Sequence, residues 1–124
     1  LHVRAVLAGE DERHKIRTLL SQALQHANNV VGLYNSGDNN RDIQAVLQQH
    51  QLSGRCCYIT HELYDVTRQL LQNGELAYTL DQNARQHALL ATDLLIRHLE
   101  QGFAADMYQD GRVELRIVTA ENID

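Results

Sequence analysis

The residues able to exchange hydrogen bonds with a small polar molecule gather in four short stretches: Gly9-Glu10-Asp11, Asn35-Ser36-Gly37-Asp38-Asn39-Asn40, Thr60-His61-Glu62 and Asp81-Gln82-Asn83. Amides carry donors and an acceptor on one group, carboxylates accept, and hydroxyls do both, which suits a polyhydroxylated ligand. Covalent chemistry is poorly served. His61 and Glu62 are adjacent, so the carboxylate does not face the ring as an acid–base pair requires. Cys56 and Cys57 lie inside a predicted strand rather than at its end, the setting of buried, inert thiols. The histidines, at 2, 14, 26, 50, 61, 87 and 98, show no HxxxH or HxH spacing and fall mostly on helix surfaces, so no metal site is expected. Gly37 stands alone where a dinucleotide fingerprint needs three glycines, and no GK[ST] accompanies it. A phosphate at the following helix start would meet the repelling carboxylate of Asp38. Neither a cofactor nor an enzyme activity is expected.

These stretches need elements to hold them, and the apolar pattern supplies a series. Residues 3–7, 30–34, 56–59, 77–80 and 113–118 read as short strands. Helices are predicted between and after them. Residues 11–27 place Ile16, Leu19, Leu20, Ala23, Leu24 and Ala27 on one stripe. Residues 39–50 repeat it with Ile43, Val46 and Leu47, residues 63–73 with Leu63, Val66 and Leu70, and residues 83–101 with Ala88, Ala91, Leu95 and Leu99. Gly74 and Gly102 follow the last two helices, where a left-handed residue ends a helix, and Asp110-Gly111 marks a turn. In the final strand Val113, Leu115 and Ile117 alternate with Glu114 and Arg116, which predicts an edge strand with one wet face. Alternating strands and helices imply an α/β, doubly wound, mainly parallel sheet with helices on both faces. In such a sheet ligands bind beyond the carboxyl ends of the strands, and all four polar stretches follow a predicted strand. The same residues also cap helices. Asp38, Asn39 and Asn83 read equally well as N-caps, and roughly half of the rim serves turns and caps on this view.

The bulk properties bound the rest. The chain has 124 residues, 44% of them hydrophobic, which fits one domain with a single core. Its net charge is −5 and its Lys and Arg are scattered, so this segment carries no stripe for nucleic acid. No apolar run nears the roughly 20 residues that span a bilayer. Residues 1–7 are broken by His2 and Arg4 and do not read as a signal peptide. A start without Met, directly on a predicted strand, suggests a piece of a longer protein. Adjacent cysteines rarely pair, and free thiols suit a reducing cytoplasm. Proline is absent, and no physical reason for this emerges.

The order of the motifs resembles the sugar-responsive transcription regulators of the LacI type. Gly32-Leu33-Tyr34-Asn35-Ser36-Gly37-Asp38-Asn39 is similar to a strand-loop in one branch of that family. His61-Glu62-Leu63 with Thr67-Arg68, Leu70-Leu71 and Gly74 is similar to a second motif, and Asp81-Gln82-Asn83 with Gln86 to a third. Arg116-Ile117 and Glu121-Asn122 fit the C-terminal end. The chain departs from that branch at Ser36, where Asp is usual, at Gly37-Asp38-Asn39, where a second glycine is frequent, and at Ala84, where proline is frequent. The resemblance implies that residues 1–124 form the C-terminal lobe of a type I periplasmic-binding-like effector domain. The DNA-binding module and most of the N-terminal lobe would lie outside it. It implies a small-molecule sugar as ligand, operator DNA as a partner of the absent module, and a homodimer. Its site residues would be Asn35, Ser36, Asp38, His61 and Gln82. A soluble periplasmic sugar carrier of an ABC-type transporter has the same fold and is the alternative.

Overall fold

The stripe of Ile43, Val46 and Leu47 is where the fold closes. In a computed structural model describing residues 2–106 and 108–123, all three are buried against the sheet and the neighbouring helices. The elements run α1 (Arg13–Gln25), β1 (Gly32–Tyr34), α2 (Asn40–Gln49), β2 (Cys57–His61), α3 (Asp65–Gln72), β3 (Tyr78–Asp81), α4 (Ala84–Gln101) and β4 (Arg116–Val118). The four strands lie in sequence order, with β1, β2 and β3 parallel and β4 antiparallel to β3. The architecture is therefore α/β with a mainly parallel sheet, as the alternation of patterns implies.

Register fixes what each face of the sheet carries. Leu33 pairs with Tyr58, Thr60 with Thr79, and Thr79 with Val118. Strand side chains alternate, so Leu33, Tyr58, Thr60, Thr79, Asp81 and Val118 share one face. Ile43, Val46 and Leu47 of α2 and Leu70 and Leu71 of α3 cover that face, and Leu20 of α1 extends the core. Tyr34, Ile59, His61, Tyr78, Leu80 and Ile117 fall on the other.

Three sequence expectations change. Residues 3–7 form no strand, and Val3 and Val6 are 85% and 91% exposed. A strand gains stability from pairing and burial rather than from alternation alone, and no described element covers this segment. The last strand is shorter than residues 113–118, and its buried side chain is Val118, while Leu115 and Ile117 stand exposed. Pairing of Ile117 with Leu80 puts it on the face opposite the α2 and α3 core, so register overrode the apolar alternation. Of the two thiols, Cys56 is buried and Cys57 exposed, so the expectation of two inert buried cysteines holds for Cys56 alone. Burial pushes the Cys56 thiol pKa up.

α4 has an apolar pattern but buries none of its residues, and Leu95 and Leu99 face solvent. The ends of α3 and α4 follow the sequence signals. Gly74 takes a left-handed φ of 71° just past α3, and its N–H donates to the Leu71 carbonyl at 3.0 Å.

α1 is tied to α2 by charge. The buried Asp42 carboxylate accepts from Arg13 Nε at 2.9 Å and from Arg17 Nε at 2.6 Å. The Arg13 guanidinium, helped by Arg17, holds the Asp42 carboxyl below its usual range against the opposing effect of burial. A depressed carboxylate pKa stabilises the fold above the unfolded value, roughly 4. That stability is lost as pH falls through the lower folded value. Asp42→Asn should therefore cost about 1 kcal/mol at pH 7, since water screens the exposed arginines. The gap between wild type and variant should close in acid. Urea melts at pH 7 and below pH 3 check this, and an equal gap at both would refute it.

Candidate functional site

Asn40 opens α2 and is almost fully buried. Its Oδ1 accepts from the Tyr58 hydroxyl at 2.5 Å, from Thr60 Oγ1 at 2.9 Å and from Asn35 Nδ2 at 2.8 Å. Its Nδ2 donates to the Tyr64 hydroxyl at 2.8 Å, which in turn donates to Asp38 Oδ1 at 3.1 Å. One amide thus joins strand β2, the loop after β1 and the start of α3. Burial pushes the phenols of Tyr58 and Tyr64 up; for Tyr64 the bond from Asn40 partly opposes this. Both therefore stay neutral hydroxyls near neutral pH.

Each loop at the carboxyl ends of the strands is pinned from beneath. After β1, Asn35 Nδ2 also donates to the carbonyls of Gly37 and Asp38, both at 3.0 Å, and its Oδ1 accepts from Gly37 N at 3.1 Å. Asp11 reaches this loop as well, accepting from Asp38 N at 3.2 Å. A Cβ on Gly37 would sit 2.7 Å from Asp11 Oδ1, so a larger residue there would displace the Asp11 side chain. After β2, Glu62 takes a left-handed φ of 64°, and its carbonyl accepts from Thr67 Oγ1 at 2.9 Å and Thr79 Oγ1 at 3.0 Å. After β3, Asp81 is held by Arg116 at 2.9 Å and accepts from Asn83 N at 3.1 Å, and Asn83 caps α4 by accepting from Gln86 N.

Above this floor lies an open cleft of about 440 Å³, lined by Ser36, Gly37, Asp38, His61, Glu62, Tyr64 and Gln82. His61 bridges its two sides: one ring nitrogen is bonded to the Tyr34 hydroxyl, and the other meets Gln82 Nε2 at 3.0 Å. The Tyr34 and His61 rings also meet edge to face at 5.5 Å. The lining offers hydroxyls, an amide, an imidazole and carboxylates, a set able to exchange hydrogen bonds at several points.

Four of the five site residues expected from sequence, Ser36, Asp38, His61 and Gln82, therefore line one cleft. Asn35 sits behind it with its amide spent on the loop and on Asn40. Of the expected caps, Asn39 and Asn83 occupy N-cap positions, and Asp38 instead meets Tyr64. Sequence reasoning passed over Tyr34, Asn40 and Tyr64. Tyr64 lies two residues past the stretch read after β2, and Tyr34 carries the parity that meets His61 once the strands are in register. Asn40 stood in one of the polar stretches, but its role depends on four partners that only folding assembles. Among the described residues no three histidine, cysteine, aspartate or glutamate side chains gather to hold a metal ion.

No family model matches the chain, and no curated protein matches it. Solved structures do. The sugar-binding protein of a sugar ABC transporter from Bacillus halodurans superposes with a TM-score of 0.77 at 21% identity, over 98% of this chain and 44% of that one. GanP, a glucose-galactose binding protein from Geobacillus stearothermophilus, gives 0.78 at 14% identity, over 93% and 40%. A chain of the XylFII-LytSN complex gives 0.77 at 12% identity, over the same shares. At these identities the likeness concerns the fold, and this chain spans less than half the length of each neighbour.

Proposed function

We propose that this chain is one lobe of a two-lobed sugar-binding unit, and that the cleft at the carboxyl ends of β1, β2 and β3 is its half of the sugar site. The observation that carries the reading is the convergence of Ser36, Asp38, His61 and Gln82 on one open cleft at the edge where parallel sheets bind ligands. The fold it shares with proteins described as sugar-binding supports it. Half a cleft explains the openness: a second lobe closes over the ligand and supplies the remaining contacts. Asn35 enters through the loop it ties rather than through a free amide.

The motifs around Asn35, His61 and Gln82 favour a LacI-type regulator over other uses of the fold. In that role sugar binding shifts the balance between two lobe arrangements and thereby changes operator affinity. Such a regulator works as a dimer in the cytoplasm, where the exposed, unpaired Cys57 persists as a thiol. A soluble carrier of a transporter is the second reading, favoured by the neighbour from Bacillus halodurans.

Isothermal titration of the full-length protein against pentoses and hexoses tests the sugar, and operator retardation with and without that sugar tests the regulator. Gln82→Ala should weaken binding about tenfold, the loss of one hydrogen bond of roughly 1.4 kcal/mol. Unchanged affinity would remove Gln82 from the site.

A further inference from the structure

The cleft carries an asymmetry that its lining alone does not reveal. Gln82 Nε2, a donor, faces one nitrogen of His61, Nδ1, at 3.0 Å. With the amide in this orientation that nitrogen accepts and carries no proton. A neutral imidazole has one proton, so it sits on Nε2 and is donated to the Tyr34 hydroxyl. Tyr34 is left with its own O–H proton, and Gln82 with a carbonyl that neither neighbour uses. We infer that His61 is a positioning residue that fixes the Gln82 amide with Oε1 toward the cleft, making this edge of the site an acceptor that selects a ligand hydroxyl able to donate.

For the class of ligand this rests on the sugar-binding reading above; the orientation of the amide does not.

The first test needs no sugar. Long-range 1H–15N correlation spectra of the full-length protein report which His61 nitrogen is protonated in the neutral ring. The Nε2–H tautomer is expected, and an Nδ1–H tautomer overturns the inference. The second test uses D-glucose, D-galactose, D-xylose, D-ribose and their monodeoxyfluoro derivatives, since fluorine cannot donate. Fluorination at the position facing Gln82 should cost about tenfold in affinity in the wild type. In His61→Phe, which keeps Gln82 but frees its amide, that discrimination should fall to about twofold. Discrimination that persists undiminished in His61→Phe overturns the positioning role. If none of the four sugars binds while the Nε2–H tautomer is found, the sugar reading fails and the positioning stands.

Discussion

Asn40→Ala should lower the unfolding free energy by about 2–4 kcal/mol and weaken ligand binding in whatever fraction remains folded. The reason is the company its side chain keeps. Tyr58 and Thr60 are fully buried, and both hydroxyls donate to Asn40 Oδ1. Deleting the amide leaves two hydroxyls in the interior without their acceptor, each costing roughly 1–3 kcal/mol. Asn35 would still hold the carbonyls of Gly37 and Asp38, so its loop survives in part. Tyr64 loses the donor that orients its hydroxyl toward Asp38, and the two sides of the cleft come apart. For a domain of this size each kcal/mol moves the melting temperature by about 4 °C, so a drop on the order of 10 °C is expected by calorimetry. A drop under about 3 °C would mean that Asn40 is not the hub. Asn40→Asp keeps the acceptor but buries a charge that only the Tyr64 hydroxyl separates from Asp38. It should fall between wild type and alanine, and recover as the pH is lowered far enough to protonate the new carboxyl.

Leu47→Ala should cost a comparable 2–5 kcal/mol by a different route. Leu47 is wholly buried where α2 meets the sheet, within the cluster of Val46, Tyr58, Leu70 and Leu71. Truncation forfeits the transfer energy of the side chain and leaves a cavity that close-packed neighbours fill only in part. It touches none of the hydrogen bonds of Asn40, two turns of α2 away. Ligand affinity measured on the folded protein should therefore stay within about twofold of wild type, although the stability loss matches that of Asn40→Ala. The pair separates packing from positioning. If Leu47→Ala lowered affinity as much as Asn40→Ala, the cleft would depend on the general rigidity of α2 rather than on its first side chain.

How much of this could be read beforehand differs by element. The helices α1 to α3 and the strands β1 to β3 lie within a few residues of their apolar patterns, because amphipathic period and turn residues are local properties. The placement of Ser36, Asp38, His61 and Gln82 on one edge followed from the rule that parallel sheets bind at strand ends. Residues 3–7 and the outer residues of the last strand failed for a shared reason. Their alternation was sound, but a strand exists only if something pairs with it and covers it, and neither condition is written in five residues. α4 shows the converse: its period makes a helix, but period alone does not supply a surface to bury it.

The sequence by itself therefore determined an α/β chain with a polar rim after its strands, and the motif order suggested a sugar. Only tertiary structure decided which rim residues line the cleft and which hold its floor. Asn35 is spent on its own loop, whereas Tyr34 and Tyr64 join the site unannounced. The physical reason is that a hydrogen-bonding side chain is committed by its partners. Those of Asn40 and His61 come from elements 5 to 27 residues away, brought together by register and burial.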